Sequence, residues 1–161
     1  MIRKAKKEDL PRLLEIYDIA RAFMRANGNM TQWNAQYPGM EDLPYDIENG
    51  NLYVAQNDDG KIYGCFAMIP GEDPTYGIID NGKWMSDTPY AALHKVASDG
   101  TTRGFFTKCV KFARRFHKHL RVDTHNDNIP MQKAILKNGF SFRGIIYLAN
   151  GDPRRAYEWE E

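Results

Sequence analysis

Apolar residues at Leu10, Leu13, Leu14, Tyr17, Ala20 and Met24 recur at the spacing of one buried helix face. Glu8 and Asp9 place negative charge at the start of that helix, and Asn27-Gly28-Asn29 ends it. A short strand over residues 2–5 precedes it, and a short helix over 42–48 follows a stretch, 31–39, too broken for a long one. Residues 51–56 and 61–69 flank Asn57-Asp58-Asp59-Gly60 and read as a β-hairpin. A long loop over 70–89 leads to a buried strand at 91–97. After the polar turn Gly100 to Gly104, Phe106, Cys109, Val110, Ala113 and Phe116 mark the core face of a second long helix. Lys108, Lys111, Arg115 and Lys118 fall on its wet side. A strand over 120–125 follows. Asn128 then caps a helix with Pro130 in its first turn, Met131, Ala134 and Ile135 on its apolar face, and Gly139 at its end. Phe140 opens another strand, Asn150-Gly151 turns the chain, and Ala156, Tyr157 and Trp159 lie on the last strand. The pattern predicts an α/β (α+β) domain over 1–161: a mixed, mostly antiparallel sheet of about seven strands with helices on both faces.

Composition narrows the partners. The chain has 161 residues, net charge +1 and a pI near 7.8, so no global field draws it to nucleic acid or a membrane. No apolar run approaches a membrane span, and the N-terminus lacks the apolar core of a signal peptide. Cys65 and Cys109 are isolated, without metal-ligand spacing, which reads as free thiols in a reducing cytoplasm and no bound metal.

The turn between the 91–97 strand and its helix carries the first candidate chemistry. Bare N–H groups there sit at the positive end of a helix dipole, a seat for phosphate oxygens, and Gly104 lets a ligand approach the main chain. Such turns also occur without a ligand in many α/β proteins. No Gly-Lys-Ser/Thr follows, which excludes a nucleoside-triphosphate loop, and the glycine spacing is not the dinucleotide fingerprint.

The order strand, glycine turn, helix, strand, Asn-capped helix, Gly-Phe, strand resembles the GNAT superfamily of N-acetyltransferases over essentially the whole chain. Asn128-x-x-Met131 through Asn138-Gly139-Phe140 match best. The run Asp123-Thr124-His125-x-Asp127-Asn128-x-x-Met131-Gln132 with Gly144-Ile145-Ile146-Tyr147-Leu148 is similar to a bacterial group of small members. The resemblance implies direct attack of an amine on acetyl-coenzyme A, with Thr101, Thr102, Arg103, Gly104, Phe105 and Phe106 as the pyrophosphate loop. Val96 and Ala97 would edge the pantetheine arm, the Val96 N–H would face the oxyanion, and Asn128 and Met131 would lie by the thiol. Two positions depart from the pattern. Thr101 and Phe106 replace a usual Gln/Arg and Gly/Ala, so a bulky ring is expected to crowd the loop; Ile135 stands where a general-acid tyrosine is frequent.

Proton transfer then falls to other groups. His94, expected to share a strand face with Val96, titrates near neutrality; Asp123 and His125 end the neighbouring strand, and Tyr147 could replace the missing acid. A hydrogen-bonded structural residue is the commoner reading of each. Trp33, Tyr37, Tyr76, Trp84 and Tyr90 bring aromatic walls for an acceptor, or pack beneath loops. The expected partner is a small-molecule or peptide amine, with no nucleic acid or membrane; a homodimer is open. The competing reading is a non-catalytic module of the same fold that binds coenzyme A or a partner.

Overall fold

The computed structural model describes residues 1–161. In chain order the elements are β1 (Ile2–Lys4), α1 (Leu10–Ala26), α2 (Leu43–Glu48), β2 (Leu52–Gln56), β3 (Ile62–Pro70), β4 (Ala91–Ser98), α3 (Phe105–Arg114), β5 (His119–Thr124), α4 (Ile129–Lys137), β6 (Ser141–Tyr147) and β7 (Pro153–Glu160). They form one seven-stranded sheet in the order β1-β2-β3-β4-β5-β7-β6, antiparallel at every pair except β4–β5, which is parallel. A parallel pair needs a crossover, and α3 supplies it.

Helices cover both faces. On one, Phe105, Phe106, Cys109, Val110 and Ala113 of α3 and Ile135 of α4 bury against Phe66, Leu93, Leu120 and Val122. On the other, Leu13, Ile16, Tyr17 and Ala20 of α1 and Leu43 of α2 cover Val54, Cys65, Ala67 and Ala97. Where that second face lacks a helix, the loop between β3 and β4 folds over it and buries Tyr76 and Tyr90 against Ala92, Ile146 and Ala156. Phe116 corrects the helical reading: α3 ends at Arg114, so Phe116 leaves the core face and is exposed. Both cysteines are fully buried, and burial pushes the Cys65 thiol up to about 12. No helix is long and apolar enough to cross a membrane.

Two irregularities of β4 open and line a fork in the sheet. Its pairing with β5 runs through Ala91↔Leu120, Ala92↔Arg121 and Leu93↔Val122 and then stops, so the two strands part from His94 and Asp123 onward. Against β3, the register shifts between Cys65 and Ala67, and Lys95 adopts a left-handed φ of 54°. This is a β-bulge, and it reverses the alternation of side chains. Leu93 faces α3 and α4, whereas Ala97, also odd-numbered, faces α1. His94 and Val96 are consequently on opposite faces, not the same one: Val96 packs toward α3, and His94 points under the β3–β4 loop. The bulge is held from both ends, since the Tyr17 hydroxyl donates to the Lys95 carbonyl at 2.7 Å and the Lys95 ammonium pairs with Asp46.

Candidate functional site

The fork between β4 and β5 opens into a cavity of about 630 Å³, lined among others by His94, Val96, Asp123, Thr124, Asn128 and Arg154. His94 sits at its edge with a side chain 23 % exposed, reachable yet largely dry. Its Nε2 lies 2.8 Å from Asp73 Oδ2, and its Nδ1 is 3.7 Å from Asp123 Oδ2. That wider gap leaves Nδ1 without a direct hydrogen bond. Asp123 is fixed from the other side by the Tyr76 hydroxyl, which donates to Oδ2 at 2.7 Å.

The electrostatics follow from these contacts. Burial opposes charge on His94, but the Asp73 hydrogen bond and the nearby Asp123 outweigh it and raise its pKa above the ordinary value. Burial likewise works against Asp73, yet the His94 and Thr75 hydrogen bonds pull its carboxyl down to about 2. Burial and Asp123 together push the Tyr76 phenol well up, so it stays a donor.

Asp73 and Arg154 are site residues that the sequence pattern does not single out. Asp73 caps a single helical turn, with Oδ1 accepting from both the amide and the hydroxyl of Thr75. That leaves Oδ2 aimed at His94. The Asp-Pro-Thr cap is visible in the sequence, but nothing there says which strand the turn lands on.

The other candidates separate cleanly. His125 accepts from the Asp127 amide at Nδ1 and meets Thr31 Oγ1, on the segment after α1, at Nε2, so both ring nitrogens are spent on loop contacts; burial and Arg154 lower its pKa. Tyr147 is exposed on β6, directed to Asp80 rather than into the cavity, because it follows the alternation of an edge strand. Trp33 and Tyr37 do wall the cavity. Tyr76, Trp84 and Tyr90 do not: they clamp the β3–β4 loop, with the Arg121 guanidinium stacked 4.0 Å from Trp84 and 4.1 Å from Tyr90. Beside them is a second hollow of about 480 Å³. Asn128 is a cap and a brace together, accepting from the Met131 amide and donating to Gln32 Oε1 at 2.9 Å. Met131 lines the cavity, while Ala97 packs away from it beneath α1.

Beyond β4, the glycine turn carries unspent donors. None of the backbone N–H groups of Thr102, Arg103, Gly104, Phe105, Phe106 or Thr107 has a partner within the protein. Gly104 is left-handed, at φ 70°, with open space where a Cβ would stand. Thr101 is occupied in shaping the turn, its amide and hydroxyl both bound by Asp99, which in turn pairs with Arg12 at 2.7 Å. Phe106 does not crowd this seat: its ring is buried toward Phe140, with centroids 6.2 Å apart. Arg103 is exposed and without an ion pair. The only buried side-chain oxygen in the fork without a partner is Thr124 Oγ1. No group of three or more His, Cys, Asp or Glu is gathered as metal ligands. A row of free amides, a glycine that admits close approach and an orphaned hydroxyl suit a ligand that is phosphorylated at one end and amide-bearing at the other.

No protein-family model and no curated protein matches the chain. Solved structures do. A GNAT-family acetyltransferase from Streptococcus agalactiae superposes with a TM-score of 0.88 at 28 % identity, covering 100 % of this chain and 95 % of its own. A GNAT-family acetyltransferase from Listeria monocytogenes gives 0.70 at 18 %, covering 100 % and 94 %. A ribosomal-protein-alanine N-acetyltransferase from Brucella melitensis gives 0.63 at 20 %, covering 100 % and 99 %.

Proposed function

We propose that this chain, which has the fold of the GNAT acetyltransferases, moves an acetyl group from acetyl-coenzyme A to a primary amine within a ternary complex. The observation that carries the reading is the position of His94. It stands where β4 and β5 part, oriented by Asp73 on one nitrogen and open on the other, at the edge of a cavity of about 630 Å³.

The amides of 102–107 would hold the pyrophosphate, with Arg103 nearby for the terminal phosphate. Val96 and Thr124 line the fork on either side of the pantetheine path, and Asn128 and Met131 close its inner end. When bound, acetyl-coenzyme A supplies an activated carbonyl and a thiol leaving group. Asp123 offers its carboxylate to the incoming ammonium. His94 Nδ1, 3.7 Å from Asp123, then takes the ammonium proton, and Asp73 stabilises the imidazolium that results. The Val96 N–H is the backbone donor for the developing oxyanion, turned by the bulge at Lys95.

Ile135, fully buried at the position of the family tyrosine, is the one feature that favours a binding module instead. A thermal-shift titration with acetyl-coenzyme A, followed by thiol release against an amine panel, separates the two: stabilisation with no turnover on any amine supports the module. The phosphate seat has its own test. Gly104→Val puts a branched side chain into the open space beside the free amides and should weaken acetyl-coenzyme A binding about 10-fold or more by calorimetry, roughly 1.4 kcal/mol. Unchanged affinity would place the phosphates elsewhere.

A further inference from the structure

Every buried charged side chain but one has a counter-ion in contact. Arg21 pairs with Asp18, Asp46 with Lys95, and His119 and Arg121 with Glu158. Arg154, only 5 % exposed, has none. Its guanidinium donates to two backbone carbonyls, Pro153 at 2.9 Å and Gln32 at 3.2 Å. Of the five N–H donors of an arginine, three are left over. Asp123 and Asp152 act on it only from beyond ion-pair contact.

Register fixes where those spare donors stand. Arg154 lies two residues before Ala156 on β7, and Ala156 is the register partner of Asp123 on β5. The two charges are therefore on one face of the sheet, and Arg154 lines the same cavity as His94 and Asp123. A buried guanidinium without an anion is costly unless the anion arrives with a ligand. The phosphates of the coenzyme have their own seat past the far end of β4, so they do not explain it.

We infer that Arg154 is the anion subsite for the acceptor, and that the acceptor is an amine carrying a carboxylate, a free amino acid in the broad sense. Its ammonium end meets Asp123 and His94; its carboxylate meets Arg154, which lines the same cavity with the opposite charge. Trp33 and Tyr37 wall the space between. The assignment of the two ends rests on the acetyl-transfer reading; the anion subsite itself does not.

The test uses leucine and 4-aminobutyrate, each beside its amide, in two readouts. Calorimetry in the presence of coenzyme A gives binding, and thiol release gives kcat/KM. In the unaltered protein the better of the two acids should be favoured over its amide about 10- to 100-fold. Arg154→Gln should bring that ratio close to one, and Arg154→Lys should leave it intermediate; should the glutamine variant fail to fold, the lysine variant decides. An amide handled as well as its acid, a ratio that survives both substitutions, or a variant that changes only the KM for acetyl-coenzyme A overturns the subsite while leaving acetyl transfer intact. Acids that bind through Arg154 without any thiol release retain the subsite and remove the acetyl-transfer reading. No binding of either acid overturns the proposal.

Discussion

Replacing His94 with glutamine is expected to lower kcat by about 10²–10⁴-fold, the range a positioned general base contributes, with little change in acetyl-coenzyme A affinity. Glutamine preserves much of the shape and can donate to Asp73, so the loss would report proton transfer rather than packing. The pH profile carries the sharper test. Because Asp73 and Asp123 raise the His94 pKa, the active unprotonated form is reached only above the ordinary imidazole value, and kcat/KM should climb through that raised pKa before levelling. Asp73→Asn removes the hydrogen bond that most opposes burial. The pKa then falls, though Asp123 still holds it up in part, and the acidic limb should move to lower pH while the plateau drops. A His94→Gln variant with wild-type kcat and an unaltered limb would end the assignment of this residue as base.

The layout of helices and strands was legible because it depends on periodicity and on turn residues, which are local. The hairpin at 57–60, the cap at Asn128 and the glycine entry to α3 all read directly from short stretches. What the pattern could not carry was the single extra residue in β4. Strict alternation put His94 beside Val96; the bulge at Lys95, an unusual left-handed non-glycine, turned them apart. Its causes are a hydroxyl on α1 and a carboxylate on α2, 78 and 49 residues away in sequence. The same limit hid Asp73 and Arg154. Each is an ordinary loop or strand residue until tertiary structure brings it to the fork. Aromatic content misled in the opposite direction: Tyr76, Trp84 and Tyr90 look like pocket walls, but a twenty-residue loop standing in for a helix needs its own small core, and they provide it.

That small core predicts the largest stability effect in the molecule. Glu158 is completely buried as a side chain and serves three partners: His119, the Arg121 guanidinium at 3.0 Å, and the Met85 amide of the β3–β4 loop. Glu158→Ala leaves Arg121 buried without its carboxylate, a change that costs about 3–5 kcal/mol, and so a large part of the ~5–15 kcal/mol that holds a domain folded. For a chain of this size the melting temperature should fall by roughly 6–20 °C. Replacing His119, Arg121 and Glu158 together with apolar residues of similar volume should recover much of that loss, since no charge is then stranded. The damage should also reach the chemistry. Arg121 stacks on Tyr90, the Tyr90 hydroxyl accepts from the Asp73 amide, and Asp73 orients His94. A folded remainder of Glu158→Ala should therefore show reduced kcat, with a weaker rise of the His94 pKa in its pH profile. A melt within about one degree of the parent would mean that the loop is held by its aromatic packing alone, and that this ionic chain from β7 to His94 carries no force.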